Sequence, residues 1–202
     1  SDQHYVGGMP CARWSPETPT TWITGTQLPS GAPIEMPASQ VYTLGPPPRW
    51  EDYFTAAASN GLAAGKDLDH ALLGGLHEVI ERDAFMVTWL NRLPARKIKV
   101  PTRGCHAAAT NRHYNKYGVM VRLIWMHSDQ APHVMMAVAE DPSPGGIFRV
   151  IGLGCDLDPV VAVDKAVSEL CQLRSGMVVR KKMGGDYLSR LQTYDAVRSL
   201  DD

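Results

Sequence analysis

The sequence predicts an α/β chain of the α+β kind, in which an antiparallel sheet is backed by helices. Three observations carry this. A Gly-rich loop at residues 59–65 feeds a long stretch of helical periodicity that Pro94 brings to a stop. Three short apolar runs, at 119–126, 133–139 and 148–152, are separated by turn-forming residues and read as consecutive antiparallel strands. A second long helical stretch then opens on Pro159, at a first-turn position where a missing N–H does no harm.

Each element can be justified in order. Residues 1–21 hold Gly7, Gly8, Pro10, Pro16 and Pro19 with little periodicity, which predicts an irregular lead-in. Residues 20–25 and 34–42 read as two short strands around a turn at 28–33, the second confined to a sheet edge by Pro37. Pro46, Pro47 and Pro48 form an extended connector, and 50–58 a short helical or irregular approach to the central loop. Asp67 or Asp69 caps the central helix, which runs to about residue 91. At 100° per residue, His70, Gly74, Glu78, Glu81, Arg82 and Phe85 share one side of it, and Leu72, Leu76, Val79, Ile80 and Ala84 form a core-seeking face. A second amphipathic helix is expected at 103–116 and a third at 159–177. Arg180, Lys181 and Lys182 form a solvated basic exit, and the tail from 184 is polar and weakly periodic.

Composition narrows the function classes. With 202 residues, 44% hydrophobic and 20% charged, the chain is long enough for a proper core. A net charge of −1 supplies no basic footprint for nucleic acid and no polybasic membrane segment. No apolar run approaches a membrane span, and no secretory signal is visible. Cys11, Cys105, Cys155 and Cys171 form no CxxC pair, which argues against a zinc ribbon or a disulfide scaffold and makes a reducing cytoplasm the default compartment.

The candidate chemistry lies on the central helix. Glu78 and Glu81, one turn apart with Arg82 beside them, present oxygens for a hard cation and a guanidinium fork for phosphate. Gly74 and Gly75 remove bulk one turn earlier, where a ligand can come close. The same spacing also fits an ordinary salt-bridged, exposed helix face. An internal echo bears on the choice: Gly65-Lys66-Asp67-Leu68-Asp69 recurs as Gly154-Cys155-Asp156-Leu157-Asp158, each before a helix. Lys165, Glu169 and Gln172 then cluster on one side of the second of these helices. A duplicated unit would gather both polar faces around one cleft, whereas a chance likeness of two helix caps would produce the same strings. His106, His113, His127 and His133 show no metal spacing, and no GxxxxGK[ST] loop occurs.

Residues 60–65 (NGLAAG) and 75–83 (GLHEVIERD), with Asp83-Ala84-Phe85, Trp89-Leu90-Asn91-Arg92-Leu93-Pro94, and the earlier Trp22-Ile23-Thr24-Gly25, Leu28, Gly31, Pro37 and Val41-Tyr42, resemble the YcaO family and its cyclodehydratase branch. The likeness runs from about residue 22 to about 180, and Glu81-Arg82-Asp83 is its most specific part. The resemblance implies an ATP- and Mg2+-dependent enzyme that activates peptide backbone amides. Its expected chemistry is the cyclodehydration of Cys, Ser or Thr to azolines during maturation of ribosomal peptide natural products such as bacteriocins. It implies Glu78, Glu81 and, less specifically, Glu169 as metal ligands, and Asn60, Arg82 and Gln172 as ATP contacts; no residue is assigned to catalysis. The implied partners are a precursor peptide, a second protein carrying peptide recognition, and a second copy of the chain.

The family's earlier ATP-binding helix and C-terminal tail have no counterpart in the sequence, which predicts a partial YcaO-like domain at 22–183, a polar tail at 184–202, and no activity in isolation. His70 stands where the family often has Glu, and neutral imidazole is a poor magnesium ligand. This keeps open a second expectation, a non-catalytic YcaO-like subunit that binds a precursor peptide or a partner protein.

Overall fold

The computed structural model describes residues 5–6, 9–10, 15, 17, 19–42, 59–144, 146–147 and 149–182. The chain divides into two compact units, Ser1–Asn60 and Gly61–Asp202. The expected connector at 46–48, the approach at 50–58 and the tail from 184 lie outside the described residues.

In the first unit, β1 (Tyr5–Val6) pairs antiparallel with β2 (Met9–Pro10), and β3 (Trp22–Thr26) with β4 (Pro33–Pro37). The lead-in is therefore not wholly irregular; two-residue strands are too short to show a period. The second predicted strand also needs correction, because it ends at Pro37 and residues Ala38–Val41 form the helical turn α1. Proline has no N–H with which to continue a ladder. The chain turns there, with the Ala38 N–H donating to the Thr21 carbonyl at 2.8 Å.

The second unit is built on α2 (Leu68–Leu90), β5 (Arg96–Ile98), α3 (His106–Asn115), β6 (Met120–Met126), β7 (His133–Glu140), β8 (Arg149–Asp156) and α4 (Pro159–Lys182). The four strands form an antiparallel sheet in the order β5-β6-β7-β8. Strand β5 was not expected: Arg-Lys-Ile is too short and too charged to show alternation. Register places Leu123, Ala137 and Gly152 side by side, and alternation then sorts the side chains onto two faces. One face, with Val121, Leu123, Met135, Ala137 and Val150, packs on Ala107 of α3 and on Ala162, Ala166, Val167 and Leu170 of α4. The other, with Met126, Val134, Leu153 and Cys155, packs on Ala84, Ile80 and Phe85 of α2.

Close packing of a helix moved one strand boundary. The third predicted strand stopped at Gly152, yet β8 continues to Asp156. Glycines in a strand interior mark close approach by another backbone. A Cβ at Gly152 would collide with the Leu170 N and Ala166 O, and one at Gly154 with the Ala162 O and Ala166 N. The two glycines let α4 lie directly on β8; α4 itself runs to Lys182, past its expected end, with Met177 packed against the core.

The predicted core face of α2 is only half right. Ile80 and Ala84 pack against the sheet, whereas Leu72, Leu76 and Val79 are exposed, and the helix buries Gly75, His77, Glu81 and Ala84 instead. Apolar content alone misplaces the inward direction, because the small and polar side of α2 is the one turned to β8 and α4.

Replacing Gly154 with Ala is expected to destabilise the chain by about 1–3 kcal/mol through overpacking of α4 on β8. Gly176→Ala, at an open position on α4, should be stabilising by up to about 1 kcal/mol. Urea unfolding midpoints that moved alike in both variants would contradict this account.

Candidate functional site

Local chemistry fixes where α2 starts. The Asp67 carboxylate accepts the His70 N–H at 2.8 Å and caps the helix, and packing then lays Glu78, Glu81 and Arg82 beside α4. On α4, Asp158 caps the first turn by accepting the Val160 N–H at 2.8 Å. Between the two helices is an open cleft of about 450 Å³, whose lining includes Glu78, Glu81, Arg82, Lys165, Glu169 and Gln172. The two polar faces of the internal echo thus meet around one space.

Arg82 is the centre of this cleft. Its Nη2 lies 3.4 Å from Glu169 Oε1, 3.5 Å from Glu81 Oε1 and 3.9 Å from Glu78 Oε1. Charge-assisted hydrogen bonds ordinarily close to about 2.7–2.9 Å, as the Lys165–Asp156 pair does at 2.7 Å and the Arg174–Asp141 pair at 2.6 Å. The guanidinium is therefore shared loosely among three carboxylates, and its Nε is buried with no hydrogen-bond partner among the described residues. Glu78 Oε2 also accepts the Gly61 N–H at 3.2 Å, tying the Gly-rich loop to the helix. Gly61 has φ 83°, a left-handed conformation that favours glycine. Glu169 Oε2 accepts the N–H of Leu153 on β8.

Burial is the largest influence on Glu81, pushing its carboxyl up to about 7; Arg82 opposes this, and Glu169 and Glu78 add to it. Burial and Lys165 hold the His77 imidazole below its usual value, while Asp156 pulls the other way. Burial, with Glu81 nearby, raises the Cys155 thiol to about 11, which leaves it a poor nucleophile at neutral pH.

Of the residues expected from sequence, Glu78, Glu81, Arg82, Glu169 and Gln172 line the one cleft. Asn60 is an exposed turn residue at the end of the first unit. His70 is exposed in the first turn of α2, with its Nδ1 3.4 Å from the Lys66 N–H. Lys165, on the same helix face as Glu169 and Gln172 and absent from the residues expected at the site, also lines the cleft, and its Nζ donates to the Cys155 carbonyl at 3.1 Å. Among the described residues, no three Asp, Glu, His or Cys side chains are grouped to hold a metal ion unaided. Magnesium asks for less, being usually held by one or two carboxylates together with water and phosphate oxygens. Glu78 and Glu81, with the loosely held Arg82 Nη2 beside them, fit a magnesium–phosphate group.

Fold and cleft together define an α+β chain with a mixed carboxylate and guanidinium site between two helices. The family model described as YcaO cyclodehydratase, ATP- and Mg2+-binding, matches residues 2–201, and the chain belongs to the YcaO family. It is 31% identical over 163 residues to an uncharacterised protein of Methanothermobacter thermautotrophicus, covering 78% of this chain and 42% of that one. Among solved structures it resembles YcaO from Methanopyrus kandleri bound with AMPPCP and Mg2+, with a TM-score of 0.63 and 27% identity over 83% of this chain and 45% of that one. It also resembles a heterocyclase in complex with substrate and cofactor, with a TM-score of 0.70 and 25% identity over 80% of this chain and 22% of that one. The chain thus spans less than half the length of each of these proteins.

A carboxyl whose folded pKa is raised binds more protons folded than unfolded, so its contribution to stability is lost as pH rises. For Glu81 the window is about 4.5 to about 7, and the loss is on the order of 3 kcal/mol. Thermal unfolding of the ligand-free chain should therefore show a falling Tm across this window, and Glu81→Gln should flatten the fall. Parallel Tm–pH curves for the two proteins would refute the buried-carboxyl reading.

Proposed function

We propose that this chain supplies the α2–α4 wall of the ATP–Mg2+ site in a YcaO enzyme that activates peptide backbone amides. The favoured reaction is cyclodehydration of Cys, Ser or Thr to thiazoline or oxazoline rings in a precursor peptide, within ribosomal peptide, including bacteriocin, biosynthesis. The observation that carries this reading is the loosely held Arg82, with an unpartnered Nε, among three carboxylates in an open cleft.

In this reading Glu78 and Glu81 hold magnesium, and Arg82 turns its fork to phosphate oxygens. Glu169 keeps one oxygen on the Leu153 N–H and offers the other to Arg82 or to the cation. Gln172 contributes an amide at the cleft wall. ATP, when bound, supplies the phosphoryl group that makes the former amide oxygen a good leaving group. The chain's own contribution is to position the phosphates and to offset developing negative charge. The wider assembly in this proposal comprises a YcaO-like domain at 22–183, a precursor peptide, a protein that recognises it, and a second copy, in the cytoplasm. No helix among the described residues is long and apolar enough to cross a membrane.

A second reading is a non-catalytic subunit that binds a precursor peptide or partner protein. It is favoured by His70, which is engaged with the Lys66 N–H where a further carboxylate is common in the family.

The two readings separate in calorimetry on the complete protein. Magnesium-dependent ATP binding should weaken at least tenfold in Glu78→Gln and in Arg82→Ala. Phosphate release should require the cognate peptide and partner protein, and its loss in Glu78→Gln should follow the loss of ATP binding. Magnesium-dependent affinity that survives both substitutions would remove the nucleotide reading.

A further inference from the structure

Away from that cleft the second unit has another cavity, of about 460 Å³, at the end of the sheet where β6 turns into β7. Strand register sets its frame. Arg96 and Trp125 are direct cross-strand partners on β5 and β6, and His133 opens β7. The Arg96 guanidinium carbon lies 5.8 Å from the centroid of the Trp125 ring, within the ~6 Å range of cation–π attraction. The His133 ring meets the same indole edge-on, with centroids 5.3 Å apart. Three flat groups are thus held in fixed relation, and Pro94 and Pro132 add apolar walls.

Charge indicates what the cavity takes. Among the described residues, no Asp or Glu lines it. Some arginines of the unit face carboxylates, Arg122 with Glu140 at 2.7 Å and Arg174 with Asp141 at 2.6 Å, whereas Arg112 donates to the Thr102 carbonyl. Arg96 has no carboxylate in ion-pair range among the described residues, and its guanidinium lies over the indole. Small-ligand sites typically combine a few hundred Å³ of aromatic and apolar wall with a few placed polar groups. A guanidinium with its fork free selects a carboxylate. An exposed ion pair alone binds weakly, so the indole and proline walls require a flat apolar part on the same molecule.

We infer that this cavity is a binding site for a small aromatic carboxylate, with the carboxylate on Arg96 and the ring among Trp125, Pro94 and Pro132. The inference is independent of the nucleotide reading, since it shares no residue with the α2–α4 cleft.

The test is titration of the 15N-labelled chain with benzoate, following the Trp125 indole N–H, which Trp125→Phe identifies by its loss. Benzoate should give a saturable shift of that signal. Benzamide, which lacks the charge, and acetate, which lacks the ring, should bind at least tenfold more weakly. Arg96→Gln should weaken benzoate at least tenfold, while Lys97→Gln, on the other face of the same strand, should leave it unchanged. No saturable shift, equal binding of benzoate and benzamide, an unaltered midpoint in a natively folded Arg96→Gln, or shifts confined to the α2–α4 cleft would each overturn the assignment.

Discussion

The carboxylate of Glu169 is engaged twice, and the rest of the cleft depends on it. One oxygen accepts the Leu153 N–H on β8, and the other lies 3.4 Å from Arg82 on α2. A single side chain from α4 therefore joins a strand and a second helix. It can do so only because Gly152 and Gly154 let the α4 backbone come so close to β8. The causal order runs from two missing Cβ atoms, to helix placement, to a bridging carboxylate, to the position of a guanidinium.

The electrostatic consequence is a site out of balance. Glu78, Glu81 and Glu169 surround one arginine, and the nearby Lys165 is already engaged with Asp156 at 2.7 Å. Mutual repulsion adds to burial in raising the Glu81 carboxyl, a cost that a divalent cation would reverse in sign. The contrast within the molecule is Glu140, also buried, held by Arg122 at 2.7 Å and by Arg149 at 3.1 Å. There two cations face one anion at close range, and the group is closed. Perturbed groups gather at functional sites, but structural ion networks perturb them as well; the loose distances around Arg82 set this cleft apart from the closed Glu140 pair.

Legibility differed from element to element. Both long helices, the helix between them and three of the four strands of the second unit are visible in periodicity and turn residues, and Asp67 is a readable cap. Strand β5 is not, because three residues carry no period, and the bend after Pro37 is hidden inside an apolar run. Glu78, Glu81 and Arg82 are legible because they are neighbours on one helix. Lys165 shares a visible face with Glu169 and Gln172, but nothing local says that this face meets α2.

By itself the sequence determined where the helices and main strands form, and it carried the segment 75–83 by which the family is recognised, since both are properties of contiguous residues. Tertiary structure alone decided which side of α2 turns inward and brought Glu169 to Arg82, 87 residues apart in the chain. Helical periodicity separates two faces without saying which one is covered. That choice is made by packing, here by a strand with two glycines that draws α4, and with it the polar side of α2, to its edge.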